Sequence, residues 1–144
     1  MPNREIHNVL HFVPLFDPKA AVTDNTAQVS AIIDLAGYNA AEIVMQTGTL
    51  TDADATFAVT VAESDASNMS GSNAVAASQL VGTLAQAGFD FNTDSKARKI
   101  GYIGTKRYIQ VTVTPANNTG NLFLSGVAVL GYPASGPTAN PPQA

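Results

Sequence analysis

The sequence predicts an all-β protein: an antiparallel β-sandwich or jelly-roll-like domain with an extended N-terminal arm and a Pro-rich C-terminal tail. Three observations lead there. Apolar residues recur at every second position over several short segments, the period of a strand with one buried face. Those segments follow one another at about the 8–12-residue spacing of sandwiches and barrels, with no strand–helix alternation and no internal repeat. Only 12% of the 144 residues are charged, and Ala, Thr, Ser, Asn and Val fill their place, as in sheets more than in helices. With 45% hydrophobic residues the chain can build a core without staples. It has no Cys, which excludes disulfides, thiolate metal sites and thiol nucleophiles.

The elements follow in order. Arg4–Phe16 is apolar, and Pro14 and Pro18 forbid a long helix, so the segment reads as an arm or edge strand. Ala27–Leu35 alternates, with Val29, Ala31, Ile33 and Leu35 expected on one face and Gln28, Ser30 and Asp34 on the other. Gly37-Tyr38-Asn39 is a turn, Glu42–Thr47 a short strand, and Gly48 with the Asp-rich Thr51–Ala55 the next turn. Thr56–Ala62 places Phe57, Val59 and Val61 inward, and Asp65–Asn73 is a polar loop. Ala74–Ala87 is Ala-rich but interrupted at Gly82-Thr83, which allows a strand or loop with at most one helical turn. Phe89 and Phe91 flank Asp90 in a short strand, and Lys99–Ile103 is a strand ending at Gly104. Arg107–Thr114 alternates most clearly, with Ile109, Val111 and Val113 on one face. Asn121–Leu130 is apolar on both faces, which predicts a central strand. Gly131–Ala144 holds Pro133, Pro137, Pro141 and Pro142 and predicts an ordered hook followed by a loose tail. The expected division is an arm or edge strand over 1–26, the sandwich over 27–133 and a flexible tail over 134–144.

Charge is unevenly distributed. Residues 1–94 carry all eleven acids and only Arg4 and Lys19, a net −9. Residues 95–144 carry Lys96, Arg98, Lys99, Lys106 and Arg107 and no acid, a net +5. The two halves are expected to neutralise each other within one fold, or to form complementary patches between copies. An overall −4 argues against direct nucleic-acid binding. No apolar run reaches the ~18 residues of a membrane span, and Met1–Phe16, with one basic residue, two His and no small-residue cleavage site, does not read as a signal peptide.

Catalytic constellations are weak. His7 and His11 are the only histidines. On a strand they lie about 13 Å apart at ~3.3 Å per residue, too far for one ion. No G-x-S-x-G elbow or P-loop is present. Asp52-Ala53-Asp54 begins like a calcium loop but lacks its Gly and closing Glu. Glu63 and Asp65 read as solvated strand-end charges rather than a catalytic pair. Tyr102, Tyr108, Lys106 and Arg107 suit stacking on a single strand of nucleic acid, but strand aromatics beside surface charges account for them as well. The residues predict no enzyme, cofactor, metal or small-molecule substrate.

The string Gly101-Tyr102-Ile103-Gly104-Thr105-Lys106-Arg107-Tyr108-Ile109-Gln110-Val111 resembles a family of small proteins from the head-gene region of tailed bacteriophages and prophages. Gly37-Tyr38-Asn39-Ala40-Ala41, Gly48-Thr49-Leu50-Thr51-Asp52, Val61-Ala62-Glu63-Ser64-Asp65 and Leu80-Val81-Gly82-Thr83 are similar to further elements of that family, in the same order. Ala128-Val129-Leu130-Gly131-Tyr132-Pro133 resembles its closing motif, with Tyr132 in place of His. The likeness spans roughly residues 27–133, and Asp65-Ala66-Ser67 departs from the family's D-D-G insert.

The resemblance implies a virion structural protein, in particular a capsid decoration (cement) protein on the outer capsid surface that binds the major capsid protein and other copies of itself, as dimer or trimer. The arm residues Ile6, Val9, Leu10, Phe12 and Leu15 are the expected apolar contacts, and Lys106 and Arg107 the expected polar ones. A head–tail joining or tail-associated protein and a carbohydrate-binding module are the alternatives; the absence of Trp counts against the module.

Overall fold

The computed structural model describes residues 4–139. Its first strands are β1 (His11–Phe16), β2 (Gln28–Val29), β3 (Ile33–Asp34), β4 (Tyr38–Thr47) and β5 (Thr56–Ser64). Short elements follow: β6 (Asn73–Ala74), β7 (Leu80–Val81), the single helical turn α1 (Leu84–Ala87) and β8 (Phe89–Asp90). The chain closes with β9 (Ala97–Tyr102), β10 (Tyr108–Ala116) and β11 (Leu124–Pro133). Two antiparallel sheets pack face to face as a β-sandwich. One has the order β1-β11-β4-β9-β7, and the other β2-β10-β5-β6, with β3 also on β10 and β8 also on β5.

Alternation builds the core. Phe57, Val59 and Val61 of β5 and Ile109, Val111 and Val113 of β10 point inward from one sheet. Ile43 and Met45 of β4, Ile100 of β9 and Ala128 and Leu130 of β11 meet them from the other. Burying each of the larger side chains contributes ~1.5–3 kcal/mol.

The phase expected over Ala27–Leu35 is wrong in its first half. Gln28 and Ser30 are buried, and Val29 is exposed. The cause is one extra residue. Gln28 pairs with Val113 and Ile33 with Ile109, so five steps on one strand oppose four on the other. Such a bulge turns every later side chain to the opposite face. Ser30 sustains the ladder through it: its N–H donates to the Val111 carbonyl at 2.8 Å, and its hydroxyl accepts from the Val111 N–H at 2.9 Å.

The ends are more ordered than a free arm and a loose tail. Of the two readings of residues 1–26, arm or edge strand, the fold contains an edge strand. β1 is an edge strand paired with β11, and Val22 bridges Leu122. The Asn118 amide donates to the Val22 and Asp24 carbonyls, pinning that segment. Nor is the whole of 134–144 loose. The Thr138 N–H donates to the Asn8 carbonyl at 3.0 Å, and its hydroxyl to the Leu10 carbonyl at 2.6 Å. Residues 134–139 are therefore clasped to residues 7–10, while Pro141 and Pro142 lie outside the described residues.

Candidate functional site

Two regions hold the expected contact residues, and a third emerges only from the fold. The first is the β9–β10 corner. Tyr102 ends β9 facing inward, and Glu63, the last residue but one of β5, faces inward from the opposite sheet. The Tyr102 hydroxyl donates to Glu63 Oε2 at 2.5 Å, joining the two layers. It also accepts the Lys106 N–H at 3.1 Å, which sets the loop that follows. Burial, then the Glu63 carboxylate, pushes the Tyr102 hydroxyl well above the usual tyrosine range. Gly104 is required here, because a Cβ would overlap the Tyr102 ring. The Gly-Tyr-Ile-Gly string is thus a corner that wraps a buried phenol. Glu63, only 9% exposed, is not the solvated strand-end charge the sequence suggested.

Lys106 and Arg107 both lie on this corner, and both are paired within the chain. The Lys106 ammonium meets Asp65. The Arg107 guanidinium donates to both Asp34 oxygens, at 2.8 and 2.9 Å. That fork holds the Asp34 carboxyl below its ordinary range. Arg107 also sits 5.1 Å from the centre of the Tyr108 ring. Two cations of the basic segment therefore neutralise two acids of the acidic one. A cleft of about 390 Å³ opens beside them, bounded by Leu35–Ala41 and Tyr102–Arg107. Tyr102 is buried, so no pair of stacking tyrosines faces it.

The second region is the arm. Ile6 is 61% exposed, and Val9 and Phe12 are exposed too. Leu10 is half-buried, with its side chain over Gly131. Leu15 is corrected: at 2% exposure it belongs to the core, because its β1 position faces inward. His11 is buried as well and stacks on Tyr38, ring centres 5.3 Å apart. Among the described residues, no group of three His, Cys, Asp or Glu side chains is placed to hold a metal ion.

The third region is the outer face of the five-stranded sheet. β11 has apolar residues on both faces, as read from the sequence, and it lies inside its sheet between β1 and β4. Yet the sandwich covers only one of those faces. Val127 and Val129 point outward, cross-strand from Pro14 and Phe12 of β1 on one side and from Val44 and Glu42 of β4 on the other. A shallow groove of about 390 Å³ runs over Pro14, Val44, Ser125 and Val127. Two-sided apolarity is the sequence signal for this surface, and it marks a central strand and an uncovered outer face alike.

No family model matches the chain, and no curated protein matches it either.

Proposed function

We propose that the chain is a structural virion protein that decorates the outer capsid surface of a tailed bacteriophage and bridges subunits of the major capsid protein. The observation that carries this reading is the apolar exterior of the arm and β1, where Ile6, Val9 and Phe12 are all exposed. Monomeric proteins rarely leave such a strip uncovered unless it meets a partner. The resemblance of the Gly101–Val111 string and its companion motifs points the same way.

The mechanism is adhesion. A cross-sheet corner fixed by Tyr102 and Glu63 keeps the sandwich stiff, and the exposed arm lies along a neighbouring subunit. Each contact is small, but binding to a lattice through several contacts multiplies their effect. The shell is thereby tied together against pressure from packaged DNA. Lys106 and Arg107 reach a partner only by exchanging Asp65 and Asp34 for its acids, so apolar contact dominates.

The test is the copy number of this chain per purified virion, by quantitative mass spectrometry against the major capsid protein. Decoration predicts a number close to that of the shell protein. A handful of copies moves the chain to the head–tail junction or tail, and absence from the particle ends the virion reading. Replacing Ile6 and Val9 by Asp, on decorated particles, is expected to weaken shell binding at least tenfold; full-strength binding removes the arm from the mechanism.

A further inference from the structure

The outer face of the five-stranded sheet has a pattern beyond its apolarity. Val127 of β11, Val44 of β4, Gly101 of β9 and Val81 of β7 follow one another across four adjacent strands as a diagonal spine. Val81 is 56% exposed. Gly101 leaves room in the spine that the Glu42 carboxylate and Val81 lean into, since a Cβ there would lie 2.9 Å from Glu42 Oε2 and 3.0 Å from the Val81 Cβ. Two opposite charges flank the spine. Glu42, cross-strand from Gly101, lies on one side, and Lys99, cross-strand from Val44, lies on the other. Lys106 and Arg107 are ion-paired within the chain, but among the described residues no ion pair joins Glu42 to Lys99.

This arrangement is self-complementary. A two-fold axis lying in the plane of the face, along the spine, sets each valine near its own copy. The same rotation exchanges the two flanks, so Glu42 of each copy faces Lys99 of the other. We propose that this face is an interface between two copies of the chain, closed by reciprocal Glu42–Lys99 pairs across a valine spine. Partial burial already raises the Glu42 carboxyl above its ordinary range, with Lys99 opposing the shift. A second Lys99, brought across the interface, adds to the opposing charge that the chain's own Lys99 already supplies.

Size sets the strength. Five strands at ~4.8 Å and six residues at ~3.4 Å make a face of about 24 by 20 Å. Two such faces bury about 1,000 Å² in total, the lower bound for a specific interface. The dimer is therefore weak, forming at high local concentration such as side-by-side placement on a lattice. The inference does not depend on the virion reading, because it concerns two copies in free solution.

Sedimentation velocity of the full chain, from micromolar to millimolar concentration, tests it. Wild type is expected to pass from monomer to dimer over that range. Glu42→Lys and Lys99→Glu each place like charges in both pairs, and each is expected to weaken the dimer about tenfold or more. An equimolar mixture of the two variants restores opposite charges in both pairs and is expected to return the affinity to within about threefold of wild type. Val127→Arg, at an exposed position on the axis, is expected to abolish association with the thermal midpoint little changed. A monomer at every concentration overturns the proposal, as does a dimer indifferent to both charge variants, or one not rescued by mixing. A monomer whose binding to capsids is lost in Val127→Arg gives the face to the shell protein instead and equally overturns it. Absence of the chain from virions removes decoration and leaves this test standing.

Discussion

The two sheets are alike inside and unlike outside. Both present buried Ile, Val, Leu, Met or Phe to the core. The outer face of the β10–β5 pair is Thr, Ala and Gln: Thr56 opposite Ala116, Ala58 opposite Thr114, Thr60 opposite Thr112, Ala62 opposite Gln110. The outer face around β11 carries Val127, Val129, Val44, Pro14 and Phe12 beside the polar pair Ser125 and Gln46, with Glu42 and Lys99 as its charges. Thr is β-branched like Val and suits a strand equally well, but its hydroxyl binds water. Either sheet can therefore be built with a wettable exterior; the β10–β5 pair is, with Val29 of β2 as the exposed valine beside it. Strand formation does not demand the outward valines, which makes contact with another surface the physical reason for them.

The comparison can be sharpened first where the sheets are equivalent. Ile43→Ala and Ile109→Ala remove fully buried side chains, one from each sheet. Both are expected to cost ~2–5 kcal/mol in urea denaturation, from lost burial and the cavity left behind. A cost well below that on one side means that its inner face is not a true half of the core. Tyr102→Phe comes next. It strips the buried Glu63 carboxylate of the hydroxyl that donates to it across the layers, with an expected cost of ~1.5–3 kcal/mol. Hydrogen exchange is expected to rise at Lys106, whose N–H loses its acceptor.

The difference between the exteriors is tested by Val127→Thr with Val129→Thr, which makes one outer face resemble the other. The expected stability change is under ~1 kcal/mol, by chemical denaturation. A larger loss means that the outward valines hold the sheet itself together, and the contact argument fails. The smallest effect is expected from acid. Asp52 links the β4–β5 and β10–β11 crossings, accepting from the Thr119 N–H at 2.7 Å and from its hydroxyl at 3.0 Å. The Thr119 N–H first, then the neighbouring Asp54 carboxyl, with a smaller share from the Thr119 hydroxyl, lower its carboxyl to about 2. A depressed carboxyl stabilises the fold above its unfolded value of ~3.9, and that contribution is lost as pH falls toward the folded value. Urea midpoints measured from pH 5 down to pH 2 are expected to fall less steeply in Asp52→Asn.

Strands with uninterrupted alternation were legible from the residues alone: Thr56–Ala62 and Arg107–Thr114 have their inward faces as read. Ala27–Leu35 was not, because a bulge obeys the backbone ladder and leaves no mark on hydrophobic period; Ser30 shows its role only beside Val111. Leu15 and Phe12 look alike in an apolar run, and only pairing with β11 sends one inward and the other out. Glu63 was hidden for a related reason. A carboxylate at a strand end is normally wet, and the tyrosine that meets it comes from 39 residues away. The contact surface fared worst, because exposure of an apolar side chain depends on what the fold leaves uncovered.

The pairing of β1 with β11 has a kinetic consequence. Residues 11–16 must wait for residues 126–130, near the far end of the chain, before their edge of the sheet can close. Such long-range pairing is slow, because the loop entropy is lost before the contacts form. During synthesis the same delay is protective. Val127 and Val129 join the exterior only with β11, when the other strands have already been made. The adhesive surface is therefore assembled last, on a domain that is nearly complete, and nascent chains have little of it with which to stick to one another.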